Sequence, residues 1–98
     1  MGREETYIKN VRSLARKMIA SIEFLGMQRV ITKTSRIDMP ITEKTRVDEA
    51  LEYVRHRYPD LHLDEGTILI TVNQKIASLD RILKANDTVS FLPFISGG

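Results

Sequence analysis

The chain has no cysteine and no tryptophan, and only five glycines, three prolines and two histidines in 98 residues. Without cysteine it can form no disulfide, no thiolate nucleophile and no thiolate-held metal site, so any sulfur it handles must be attached elsewhere. Its glycines form neither G-x-G-x-x-G nor the glycine-rich run that leads into Lys-Ser/Thr, so no recognisable loop cradles a nucleotide. No apolar run approaches the roughly 20 residues of a membrane-spanning helix. The basic first seventeen residues lack the apolar stretch and small-residue cleavage site of a secretion signal. A single cytoplasmic domain with one modest core is therefore expected.

Charge excludes further classes. The whole chain carries a formal +2, but residues 1–17 hold Arg3, Lys9, Arg12, Arg16 and Lys17 against Glu4 and Glu5, a net +3 that leaves residues 18–98 at −1. A nearly neutral body lacks the broad basic face that many phosphate contacts require, which argues against nucleic acid as the partner. His56 sits between Arg55 and Arg57, and His62 follows in a loop with no third ligand in view, so no metal site is expected. The pairs Asp48–Glu49 and Asp64–Glu65 fall near a helix start and just before Gly66, where capping and turn roles suit them better than acid–base chemistry.

The apolar periodicities give a short order of elements. Tyr7, Val11, Leu14 and Met18 fit one face of a helix over 7–18. In MIASIEFL the alternation puts Ala20, Ile22 and Phe24 on one strand face and Ser21, Glu23 and Leu25 on the other. Gly26 marks a turn or loop, and a second strand lies within 36–41, where Ile37, Met39 and Ile41 alternate and Pro40 limits pairing. Thr45 is the candidate N-cap of a helix whose stripe is Val47, Ala50, Leu51 and Val54 and which ends before Pro59. Ile68, Ile70 and Val72 mark a strand, Asn73-Gln74 a turn, Leu79 to Leu83 a short helical turn, and Val89 to Phe94 a last strand. Such an order predicts an α+β fold, a small mixed sheet with one main helix across it, which the ubiquitin-like β-grasp satisfies.

Two features are left without a structural role. Leu25 and Leu92 point away from the face that holds Phe24 and Phe91, which suits either a second core layer or an exposed docking patch. The sequence ends Gly97-Gly98, two residues without side chains that can lie extended in a narrow passage. Such an end is either a plain flexible terminus or an unhindered carboxylate handle. A carboxylate ionised with a pKa of about 3.5 is a poor electrophile, so the handle would need activation.

From Ile68 to Gly98 the sequence resembles the MoaD/ThiS family of ubiquitin-like sulfur carriers, most closely its MoaD branch, the molybdopterin synthase small subunits. The resemblance is carried by Val72-Asn73-Gln74, the turn from Leu83 to Val89 with Asp87, the strand Val89 to Pro93, and the terminal Gly97-Gly98; SIEFLG, residues 21–26, resembles the family's first strand. It covers a domain over 18–98 and leaves 1–17 as an extension. The resemblance implies that Gly98 is adenylated by an E1-like enzyme using ATP and converted to a thiocarboxylate with sulfur from a donor. It further implies that the tail, with Gly97 as steric allowance, delivers that sulfur to the dithiolene of molybdopterin inside a large synthase subunit. That subunit supplies the acid and base groups, so this chain alone is not catalytic and binds no cofactor itself. Leu25, Ile76 and Leu92 match the family's apolar partner contacts, and Phe94 joins them as docking surface. Phe94 and Ser96 depart from the usual residues before the diglycine, so a carrier for thiazole or tungsten-cofactor synthesis, or a protein modifier, stays open. A nucleic-acid-binding module using 1–17 is the remaining alternative.

Overall fold

Strict alternation of burial organises the first strand: in β1 (Ile19–Glu23) and the residue after it, Ala20, Ile22 and Phe24 are wholly buried while their neighbours are not. A computed structural model describes residues 18–93; nearly all of the expected helix over 7–18, and Phe94, Gly97 and Gly98, lie outside the described residues. After β1 come α1 (Met27–Thr32), β2 (Arg36–Pro40), α2 (Val47–Arg57), a 3-10 turn (Pro59–Leu61), β3 (Ile68–Val72), β4 (Lys75–Ile76) and β5 (Thr88–Pro93). The strands form one sheet in the order β2-β1-β5-β3-β4, with β1 and β5 parallel at its centre and the other pairs antiparallel. Pro40 sits on the edge strand β2, where a missing N–H is tolerated.

The core lies between one sheet face and α2. Ala20, Ile22, Phe24, Met39, Ile70, Val72, Val89 and Phe91 meet the expected stripe Val47, Ala50, Leu51 and Val54 in one cluster. Each fully buried aliphatic or aromatic side chain there contributes about 1.5–3 kcal/mol, so this layer holds the sheet and helix together. Phe24 meets the edge of Tyr58 with ring centroids 5.5 Å apart, which closes the end of α2 over the sheet.

The N-cap of α2 is Arg46, not Thr45. Thr45 Oγ1 instead accepts a bond from Thr42 N–H at 2.8 Å. The first amides of α2 find partners distant in sequence: Val47 N–H donates to Arg81 C=O and Asp48 N–H to Leu79 C=O, both at 2.9 Å. Glu49 Oε2 accepts from Arg46 N–H at 2.8 Å, so no side-chain cap at 45 is needed. Residues 79–83 are also not helical; Leu79 and Asp80 make a turn, and Ile82 bridges Arg46. The carbonyls that cap α2 are the reason, since they face the helix instead of closing on their own segment.

Two further elements are absent from the sequence reading. α1 runs through the segment read as a loop after Gly26, and Met27, Val30 and Ile31 on it are exposed, so its apolar residues do not mark an inward face. Polar groups hold it instead: Thr32 Oγ1 donates to Gln28 C=O at 2.9 Å, and Arg29 Nε to Phe24 C=O at 2.9 Å. Gly26 opens it at φ 54°, ψ −128°, a conformation that side chains disfavour. β4 is only two residues long and pairs with β3 through the Asn73-Gln74 turn, whose φ angles of 52° and 70° suit a two-residue hairpin.

Asn73 and Asp87 tie the end of β3 to the start of β5. Asn73 Nδ2 donates to Asp87 Oδ1 at 2.9 Å, and Asn73 Oδ1 accepts from Thr88 N–H at 3.0 Å. The buried Asp87 also accepts from Lys84 N–H at 2.8 Å, so the hairpin turn is tied to the start of β5.

Candidate functional site

β5 is the central strand that leads out of the fold, and the register around it places the apolar residues the core does not use. Leu92 lies opposite Leu69 and Ser90 opposite Thr71 on β3, while Thr71 lies opposite Ile76 on β4. On the same sheet face Ser90 neighbours Glu23, which neighbours Arg36. This outer face is therefore divided. Its polar side holds Arg36, Glu23, Asp38 and Ser21, and its apolar side holds Leu92, Leu69 and Ile76. The Arg36–Glu23 pair, 3.9 Å apart and solvated, contributes little stability.

The contrast in burial is as expected, with Phe24 and Phe91 wholly buried and Leu25 and Leu92 half-buried. Only Leu92 is placed on the outer face by strand register, because Leu25 lies past the end of β1. Neither they, nor Leu69, nor Ile76, which is 72% exposed, packs in or against the core cluster. No second core layer among the described residues includes them. Leu25 lies beyond the end of β1 and is held beside β5 by Gln28, whose Oε1 accepts from Leu25 N–H at 3.0 Å while its Nε2 donates to Phe91 C=O at 2.8 Å. Leu92, Leu69 and Ile76 thus share the outer sheet face beside the chain's last segment, while Leu25, just past the end of β1, borders a groove on the other side of that root. Phe94, Gly97 and Gly98 lie outside the described residues.

The sequence reading missed Leu69 and Gln28 as members of this region. Leu69 had a signal, since it alternates with Ile68 and Ile70. Gln28 had none, because its partners are Leu25 and Phe91, the latter 63 residues away. On the opposite side of the root, Leu25, Met27, Ile31, Leu61, Ile68 and Pro93 line an open groove of about 560 Å³.

The remaining candidates resolve into structure. His56 and His62 are exposed, and among the described residues no three His, Asp or Glu groups converge as metal ligands. Glu49 serves the start of α2, and Asp64 accepts from Gly66 N–H at 3.1 Å in a turn. Asp80 is the carboxylate whose acidity clearly departs from the ordinary: the Ser78 hydroxyl, 2.7 Å away, holds its pKa below 3.8, aided by its own backbone N–H. No helix among the described residues is long and apolar enough to cross a membrane.

A five-stranded mixed sheet with parallel centre strands and one helix across a single face is the ubiquitin-like β-grasp, which solved structures share. Small archaeal modifier protein 1 from Methanosarcina acetivorans superposes with a TM-score of 0.67 at 23% identity, over 83% of this chain and 97% of that one. A chain from the complex of subunits 1 and 2 of the molybdopterin-converting factor of Helicobacter pylori gives 0.55 at 23% identity, over 83% of this chain and all of its own length. The chain belongs to the ThiS family, whose model matches residues 22–98. Among curated relatives, the molybdopterin synthase sulfur carrier subunit of Dictyostelium discoideum is 33% identical over 78 residues, 76% of this chain and 90% of that protein.

Proposed function

We propose that this chain is a sulfur carrier, the small subunit of a molybdopterin synthase, working in the cytoplasm. The observation that carries the reading is the family match, which runs through residue 98 and so takes in Gly97 and Gly98. Its relatives in that family include molybdopterin synthase sulfur carrier subunits. Gly98 is the reactive end. An E1-like, MoeB-like enzyme joins its carboxylate to AMP from ATP with release of pyrophosphate, which makes the carbonyl carbon an electrophile. A sulfur donor then displaces AMP and leaves a thiocarboxylate, whose sulfur attacks the pterin precursor inside a large, MoaE-like subunit. Gly97 lets the end pass through a narrow entry. Leu25, Leu92, Ile76 and Phe94 dock the body, and the complex of the two Helicobacter pylori subunits supports a partner of this kind. The absence of cysteine fits a carrier whose sulfur rides on the main chain.

Intact mass tests this directly. The chain with its own C-terminus is incubated with the adenylating enzyme, ATP and a sulfur donor. Replacement of one oxygen by sulfur at Gly98 supports the reading, and an unmodified Gly98 in every preparation refutes it. A protein-modifier role is the second reading, favoured by the likeness in fold to small archaeal modifier protein 1. A ladder of lysine-linked conjugates in native lysate would favour it over the dedicated carrier.

A further inference from the structure

We propose that Gln28 is a positioning residue for the tail: its carboxamide stands as a rung in the β1–β5 ladder and sets the direction in which β5 leads to Gly98. The inference rests on the reading that Gly98 is delivered into a partner's active site. In the parallel ladder Ser21 N–H donates to Asp87 C=O at 2.8 Å. Such rungs advance two residues at a time on both strands, so the same series reaches Leu25 N–H and Phe91 C=O. These are the two groups that Gln28 occupies, accepting from the first at 3.0 Å and donating to the second at 2.8 Å. The side chain acts as an inserted peptide group: it satisfies both backbone atoms and holds β1 off β5 by its own width.

The next residue of β5 that would face β1 is Pro93, which has no N–H to offer, so the ladder cannot resume beyond the insertion. On its other side β5 stays paired to the end, with Pro93 opposite Ile68. The root of the tail is thus fixed by β3 on one flank and by one carboxamide on the other. Five residues follow Pro93, a reach of at most roughly 16 Å at about 3.3 Å per residue. Where a partner grips those residues in an extended channel, the direction of β5 at Phe91 sets where Gly98 can arrive, and a displacement of about 1 Å at a reacting group can cost on the order of a hundredfold in rate.

The test compares wild type with Gln28→Met, which keeps the length of the side chain and removes both hydrogen bonds. Ile41→Ala, a core change at the far end of the sheet, serves as the control for stability alone. Adenylation of the whole chain by the E1-like enzyme is followed by ATP–pyrophosphate exchange, and amide hydrogen exchange is read by NMR. We expect Gln28→Met to lower kcat about tenfold and to raise KM by clearly less than that, because Leu92 and Ile76 keep their places on the sheet even as Leu25 is released. Leu25 N–H should exchange at least about tenfold faster while Ser21 N–H is unchanged. Wild-type kcat in Gln28→Met, or an equal loss in Ile41→Ala, overturns the proposal, as does unchanged exchange at Leu25. Should wild type not be adenylated at all, the sulfur-carrier reading falls, and the exchange at Leu25 still decides whether Gln28 holds the ladder.

Discussion

Leu92 and Phe91 are adjacent on β5, yet their replacement should have opposite consequences. Phe91 is wholly buried in the core, and Phe91→Ala should cost about 3–5 kcal/mol, a large part of the roughly 5–15 kcal/mol that holds such a domain folded. Leu92 is half-buried, packs outside the core and meets Leu69 across the strands. Leu92→Asp therefore forfeits a cross-strand pair worth about 0.2–1 kcal/mol and a part of strand propensity of similar size. For a domain of this length about 1 kcal/mol lowers the melting temperature by roughly 4–8 °C. If Leu92 is a central anchor of the docking surface, its loss should cost about 2 kcal/mol or more in binding, roughly thirtyfold in Kd. Calorimetric unfolding and titration against the large subunit measure the two effects on the same samples. A collapse in melting temperature comparable to that of Phe91→Ala would refute the assignment of Leu92 to the surface, and unchanged affinity in a stable variant would refute its role in docking.

Removal of Gly98 should leave unfolding by urea unchanged and abolish thiocarboxylate formation, seen as the loss of the sulfur-bearing mass. Gly26→Ala should destabilise by about 1–3 kcal/mol in chemical denaturation, purely through its backbone conformation, since nothing lies within 4 Å of the added methyl. Asp87→Ala leaves both Asn73 Nδ2 and Lys84 N–H without their acceptor and should cost about 2–3 kcal/mol, with faster amide exchange at both ends of the tie. The Asp80 carboxyl should titrate below 3.8 in NMR and return towards that value in Ser78→Ala. Because its folded pKa is depressed, its small stabilising contribution is present above the ordinary carboxylate range and is lost as pH falls through the folded pKa.

Burial decides what was legible in the sequence. Ala20, Ile22 and Phe24, and the stripe from Val47 to Val54, could be read because one face of each element must leave water, which imposes a period. Asn73-Gln74 could be read because few residues accept left-handed backbone at two positions in succession. α1 could not, since its apolar residues face solvent and polar side chains hold it. The cap of α2 was misplaced at Thr45 because its true partners are the Leu79 and Arg81 carbonyls, brought near only by the completed fold. At the site, strand parity announced Leu25 and Leu92, whereas Ile76 was marked by resemblance alone. Leu69 carried the same parity signal, but its place opposite Leu92 is set by the β3–β5 register, which no local pattern encodes.

The place of β5 between β1 and β3 also settles how the domain bears tension. A partner that grips the last residues and pulls along β5 loads both flanking ladders lengthwise, so their hydrogen bonds resist together in shear. A tail leaving an edge strand at right angles would instead let those bonds open one after another, like a zipper. Pulling on the last residues along β5 should therefore have to break many bonds together, and not one at a time.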